Sequence, residues 1–297
     1  MNNSLKVGAI SGLVAGFVFV IVSEILSIMV LSIGLVEPWA RVYYENNTLV
    51  NIPLFIFWGV VLGIVYSKIH SLVPGKGVWK GLIYGLLLFV IVTFRIETFM
   101  IPYGALLNAV GDLFWGIFVW VAYGLSLGFF YRLLLDKYYP TIEEAKIITY
   151  DVKSGLLPGA IAGIMEGITA GFVSVIGHVT GLWGVITGGA IVNTIGFWIS
   201  QFATHILLNM IWATVFGAFF ALVYHLVPGK KVIKGLFYGL IMYFITSFQL
   251  FTWLIVWYAN HNLWQLVYPS ILDILVYGFD FVVFGLVLGA LYRKPSD

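Results

Sequence analysis

Long apolar runs alternate with short polar breaks along this chain, and the run lengths predict helices that cross a bilayer. The runs cover about residues 5–33, 51–70, 77–100, 112–134, 153–177, 199–225, 232–256 and 272–292. Each reaches or approaches the ~20 residues that a helix needs to span the hydrocarbon core. The breaks are polar or turn-forming: residues 37–47, Pro-Gly-Lys turns at 74–76 and 228–230, a Pro-Tyr-Gly turn at 102–104, and a linker over 136–151. The pattern predicts an all-α fold, a polytopic transmembrane helical bundle of about eight spans. Residues 180–198 are apolar but glycine-broken and short for a crossing. They are expected as an interfacial or re-entrant piece, because a ninth crossing would carry the basic carboxy terminus to the opposite side. The first run is too long for a signal-peptide core and shows no clear cleavage site, so it is expected as a retained helix.

The pattern also repeats. Residues 71–94 (SLVPGKGVWKGLIYGLLLFVIVTF) and 225–248 (HLVPGKKVIKGLFYGLIMYFITSF) share 14 of 24 positions without a gap, at an offset of 154. Lys6, Gly8, Gly12 and Gly16 match Lys153, Gly155, Gly159 and Gly163 at an offset of 147. Asp112, Gly124, Gly128, Tyr131 and Arg132 match Asp273, Gly285, Gly289, Tyr292 and Arg293 at 161. The expected organisation is therefore a first four-helix membrane repeat over 1–135, a cytoplasmic linker over 136–152, and a second four-helix repeat over 153–297. Four spans per unit is an even number, so the two repeats should be parallel rather than inverted.

Charge placement orients the bundle. Thirteen of the fifteen Lys and Arg residues sit at one set of span ends; Arg41 and Arg95 are the others. The positive-inside bias then puts both termini and both basic hairpins in the cytoplasm, giving a multi-pass protein of the cell membrane. Composition agrees: 61% of residues are hydrophobic and 9% charged, against about 25% charged in soluble domains. A formal charge of +2 gives no footprint for nucleic acid, and the absence of cysteine excludes disulfides and thiolate metal sites. Small residues recur four apart in every span, such as Gly81/Gly85 and Gly235/Gly239, a spacing that lets membrane helices approach closely.

Two groups of residues are candidate sites. Lys76, Lys80, Lys230 and Lys234 open the helices of the repeated hairpin, where lysines and free amide groups suit lipid headgroups or a cytoplasmic anion. The GxxxxGK[ST] spacing of a nucleotide-binding loop is not there. The second group is charged or titratable side chains within the apolar runs. Glu24 lies 18 residues after Lys6, about 27 Å along its helix. Arg95 and Glu97 lie 15 and 17 residues after Lys80, about 22–26 Å along theirs. Glu166 is 13 residues after Lys153 and Asp280 is 13 before Arg293, about 20 Å in each case and nearer mid-membrane. His178 and His205 fall near the outer ends of spans 5 and 6.

Ion pairing or snorkelling at the outer interface accounts for Glu24, Arg95 and Glu97 on structural grounds, whereas Glu166 and Asp280 have no cation evident in the sequence. Their asymmetry is the pointer to function: Glu24 matches Gly171, Arg95 matches Gln249, Glu97 matches Phe251, Glu166 matches Phe19 and His205 matches Asn51. Charged groups in hydrocarbon cost about 2.5–3.5 kcal/mol on insertion scales, so an unsymmetrical set points to use rather than inheritance.

The expected function is a transporter or channel-like protein moving a small solute or ion along a polar route lined by Glu166, Asp280, Glu24, Arg95, Glu97 and His205. The alternative is a non-catalytic membrane subunit or anchor of a larger complex, for instance a respiratory one. Haem held by His178 and His205 is disfavoured, since neither lies in an attachment motif. No cofactor, metal site or enzyme activity is expected, as the sequence has no HExxH, nucleophile-elbow or paired-carboxylate motif. The expected partners are the lipid bilayer and either a second copy or other membrane subunits.

Overall fold

A computed structural model describes residues 3–35, 48–95, 98, 106–138, 152–179, 195–248 and 264–293. Among them the regular structure is entirely helical. The described residues form eight α-helices: α1 (Asn3–Ser32), α2 (Thr48–Ile69), α3 (Val78–Leu88), α4 (Leu106–Tyr138), α5 (Leu156–Val179), α6 (Ile195–Val223), α7 (Val232–Tyr243) and α8 (Trp264–Leu291). A 3₁₀ turn, Val152–Gly155, leads into α5. The π turns Phe89–Phe94 and Phe244–Phe248 continue α3 and α7.

Among the described residues, five helical stretches are long and apolar enough to cross a membrane: Asn3–Ser32, Ile52–Ile69, Ala109–Lys137, Val152–Val173 and Phe202–Val223. Three shorter apolar stretches are Val78–Phe94, Val232–Phe248 and Tyr277–Leu291. Large apolar side chains such as Ile28, Leu157 and Leu275 stay exposed, as expected where the solvent is hydrocarbon. These are the helices of a membrane protein.

Glu97, the polar break at 37–47, the turn at 102–104, residues 139–151 and residues 180–194 lie outside the described residues. Of the stretch expected to be re-entrant, residues 195–198 form the start of α6.

The chain divides into two compact units, Met1–Ile148 and Thr149–Asp297. In unit 1, α1 packs on α2 and α4, and α3 packs on α4. Glycine permits the closest of these approaches: a Cβ on Gly81 would come within 3.0 Å of the backbone of Gly124 and Gly128. Without a hydrophobic drive between helices in lipid, such close packing supplies much of the attraction. Phenols and indoles tie the helices by donating to carbonyls: Tyr84 Oη to Leu62 O at 2.9 Å, Tyr123 Oη to Gly59 O at 2.9 Å, and Trp115 Nε1 to Ser23 O at 3.3 Å. The hairpin before α3 turns on Gly75 (φ 98°) and Gly77 (φ 54°).

In unit 2, α5 packs on α6 and α8, and α7 packs on α8. Gly235 sits on Gly285 and Gly289 as closely as Gly81 does on its partners. Tyr238 Oη donates to Phe216 O at 2.7 Å. Ser154 Oγ and Tyr292 Oη, 3.2 Å apart, pin the start of α5 to the end of α8. The hairpin before α7 turns on Gly229 (φ 95°) and on Lys231, a non-glycine residue at φ 42°.

Candidate functional site

The core of unit 2 buries polar side chains among its aromatic ones. Glu166 on α5 is 4% exposed, Asn209 on α6 is 4% exposed, Asp280 on α8 is 3% exposed, and Thr246 and Ser247 in the π turn after α7 are buried as well. Each of the four helices thus buries at least one polar side chain. Three registers place them at one level. First, Ser154 bonds Tyr292; Glu166 is 12 residues from the first and Asp280 is 12 from the second, so both lie about 18 Å from that bond along packed helices. Second, a Cβ on Gly163 would meet the Asn209 carbonyl and one on Gly167 would meet Ile206 Cα. Those contacts set Glu166 beside residues 206–209 of α6. Third, a Cβ on Gly239 would meet the Phe281 carbonyl, which sets Asp280 against the far half of α7.

Asp280 carries the strongest signal. Its Oδ1 is buried and has no hydrogen-bond partner. A polar atom removed from water without a partner is costly, so each one in a native fold calls for an explanation, a functional role or a bound water or ion among them. Thr246 Oγ1 donates to Met242 O at 2.7 Å and lies 3.4 Å from Ser247 Oγ. The π turn itself matters, because i→i+5 bonding shifts backbone carbonyls out of helical register and is common at functional sites.

Unit 1 has a different core at the same register. Phe19, the match of Glu166, packs on Phe55 with ring centroids 5.2 Å apart and on Trp120 at 5.2 Å. Phe55 and Val119 stand where unit 2 has Asn209 and Asp280. Thr93, the match of Ser247, accepts a hydrogen bond from Trp120 Nε1 at 2.9 Å. Unit 2 has Phe281 and Phe284 in place of Trp120 and Tyr123, and Val276 in place of Trp115. Unit 2 therefore gains two buried carboxyl groups and lacks these three side-chain donors.

The sequence-predicted residues fall out as follows. Glu166 and Asp280 are brought to one level on packed helices of unit 2. His205 belongs to the same neighbourhood: it is half-buried on α6, and a Cβ on Gly167 would meet its carbonyl oxygen. Glu24, half-buried on α1, and Arg95, buried at the end of the π turn after α3, belong to unit 1. His178 lies in the last turn of α5, with its side chain outside the described residues. No group of three or more His, Asp or Glu side chains able to hold a metal ion occurs among the described residues.

The four hairpin lysines divide. Lys76 and Lys230 are exposed, as headgroup contact requires. Lys80 is 2% exposed, and its Nζ donates to His70 O at 3.1 Å. Lys234 Nζ donates to Tyr224 O at 2.6 Å and lies 4.3 Å from the Tyr224 ring centroid. Lys80 and Lys234 thus cap the carbonyl ends of α2 and α6, where a cation complements the helix dipole. Burial of this end also depresses the His70 imidazole to a pKa of about 4, helped by the adjacent Lys80 charge.

Asn209, Thr246 and Ser247 were not singled out by sequence reasoning. The signal that finds them is the register itself, which sets Asn209 on Phe55 and Thr246 on Val92. No family model, curated protein or solved structure matches this chain.

Proposed function

We propose that the chain is a multi-pass transport protein of the cell membrane, with the polar side chains buried in unit 2 lining its solute route. In this reading the protein arose by tandem duplication of a four-helix unit, both termini are cytoplasmic, and Lys76 and Lys230 meet anionic headgroups. Unit 1 keeps its aromatic centre, and His205 on α6 stands at the approach to the route within unit 2. The observation that carries the proposal is the buried, unsatisfied oxygen of Asp280 at the level of Glu166. Intramembrane ionisable residues are rare and mark ion and substrate paths.

The test is stopped-flow swelling of proteoliposomes in a panel of small ions and neutral solutes. Asp280→Asn and Glu166→Gln are each expected to abolish the flux that the wild type supports, without lowering the melting temperature in detergent. Undiminished flux in both variants removes the route from unit 2. The alternative role, a non-catalytic subunit of a larger complex, predicts other chains co-purifying in stoichiometric amount from mild detergent.

A further inference from the structure

Two buried carboxylates, a carboxamide and two hydroxyls on four packed helices are all oxygen donors, and oxygen-only sets suit hard cations. Within unit 2 the Lys and Arg residues among the described positions are Lys153, Lys230, Lys231, Lys234 and Arg293. All five lie at the hairpin end. Asp280 is 13 residues from Arg293 and Ser247 is 13 from Lys234, about 20 Å by helical rise. The side-chain donors that the same positions hold in unit 1 (Trp115, Trp120 and Tyr123) are Val276, Phe281 and Phe284 here. Carboxyl groups have therefore been gained where these three donors were lost, and Asp280 Oδ1 remains open to a further partner.

We infer that the core of unit 2 binds a monovalent alkali-metal cation at Asp280, with Glu166, Asn209 and Ser247 completing an all-oxygen site. The inference deepens the transport reading, because it names the class of ion that the same site would carry. Two carboxylates with neutral oxygens, and no metal-holding group of three or more His, Asp or Glu among the described residues, fall short of the several charged or imidazole ligands that divalent sites gather. The site is therefore assigned to a monovalent ion, and the titration includes calcium and magnesium chloride as the competing outcome. Bound there, the cation supplies Asp280 Oδ1 with the partner it lacks and draws the π turn Phe244–Phe248 onto α8 through Ser247.

Thermal unfolding of the purified full chain in detergent tests this directly, followed by intrinsic tryptophan fluorescence. Sodium, potassium or lithium chloride replaces choline chloride at constant ionic strength. At saturation one alkali cation is expected to raise the wild-type melting temperature by about 2–4 °C through linkage. The rise should vanish in Asp280→Asn and in Asp280→Val, the residue that unit 1 holds at this position. Asn209→Leu, which leaves both carboxylates in place, should raise the half-saturating concentration about tenfold.

The inference is overturned if no alkali ion acts beyond choline, if calcium or magnesium acts in its place, or if the rise survives in whichever Asp280 variant folds. Its fate can be told apart from that of the transport reading. A cation-dependent rise without flux of any solute sustains the site and removes transport. Flux that depends on Asp280 without a cation-dependent rise sustains the route and removes the cation.

Discussion

Unit 1 and unit 2 share the ties around their hairpins and differ in their centres. In both, a tyrosine on the helix after the hairpin donates to a carbonyl 22 residues back (Tyr84 to Leu62, Tyr238 to Phe216). In both, a lysine caps a carbonyl ten residues back (Lys80 to His70, Lys234 to Tyr224). Each helix pair also meets on glycine, Gly81 on Gly124 and Gly128, Gly235 on Gly285 and Gly289. The centres are unlike: Phe19, Phe55 and Val119 in one, Glu166, Asn209 and Asp280 in the other. A scaffold fixed by close backbone packing and side-chain-to-carbonyl bonds leaves its central side chains open to change, because none of those ties passes through them. Function can thus be written into one unit without rebuilding the fold.

Exchanging the two centres gives the largest effect. Phe19→Glu puts a carboxylate among Phe55, Trp115, Trp120 and Tyr123, and is expected to destabilise the chain by about 3 kcal/mol. Glu166→Phe in unit 2 is expected to leave thermal stability unchanged or higher, since replacing buried charge by apolar packing is often neutral or stabilising, while abolishing flux. Melting curves of both variants in one detergent decide this. Equal losses in the two units would mean that the acidic centre is structural and that the contrast carries no functional meaning.

The helices were legible in the sequence because run length and apolar content alone fix a bilayer span. Their ends were less so. The third run reads as one helix to about residue 100, yet the α-helix yields at Leu88 to a π turn, where the Arg95 amide bonds Val90 O; hydropathy does not register a change in hydrogen-bond step. Glu166 and Asp280 stood out because charge is rare in apolar runs. Asn209 and Ser247 did not, since neutral polar residues cost little to insert and occur in many packed membrane helices. The exchange of Trp120 for Phe281 changes hydropathy little and removes a donor, so its meaning appears only with the Thr93 bond in view. Counting basic residues treats all hairpin lysines as headgroup contacts; the fold-back of Lys80 onto the end of α2 is a tertiary event that counting cannot register.

The hairpin ends offer a smaller contrast. His70 and Tyr224 hold the same position, each against a tyrosine ring on the last helix of its unit (Tyr131 and Tyr292) with centroids 4.9 Å apart. Burial and the neighbouring Lys80 lower the His70 pKa from 6.5 to about 4. The unfolded chain therefore binds a proton at His70 between those values while the folded chain does not, so stability rises with pH across the window. The contribution is fully present above about pH 6.5 and is lost as pH falls toward 4. His225, lowered by burial and then by Lys234, adds a slope of the same sign. Melting temperatures between pH 7.5 and 4.5 should fall for the wild type and fall less for His70→Tyr, which copies unit 2. An unchanged slope in that variant would place the acid sensitivity elsewhere.

The smallest effect sharpens the comparison at one backbone position. The residue before α3 is Gly77, at φ 54° and ψ −126°; the residue before α7 is Lys231, at φ 42° and ψ −115°. This conformation is open to glycine and costs a side-chain-bearing residue about 1–3 kcal/mol. Glycine at position 231 removes that strain, against about 0.5–1 kcal/mol of added freedom in the unfolded chain. Lys231→Gly should therefore stabilise the protein by about 1 kcal/mol, read as a rise of about 2–4 °C in melting temperature. The reverse change, Gly77→Lys, adds the same strain and a Cβ to which the flexible end of the exposed Arg132 side chain can yield, so its loss should be about as large as the gain from Lys231→Gly. If the two substitutions instead shift the melting temperature in the same direction, the hairpins do not share one geometry, and unit 2 holds Lys231 in place by contacts that unit 1 does not have.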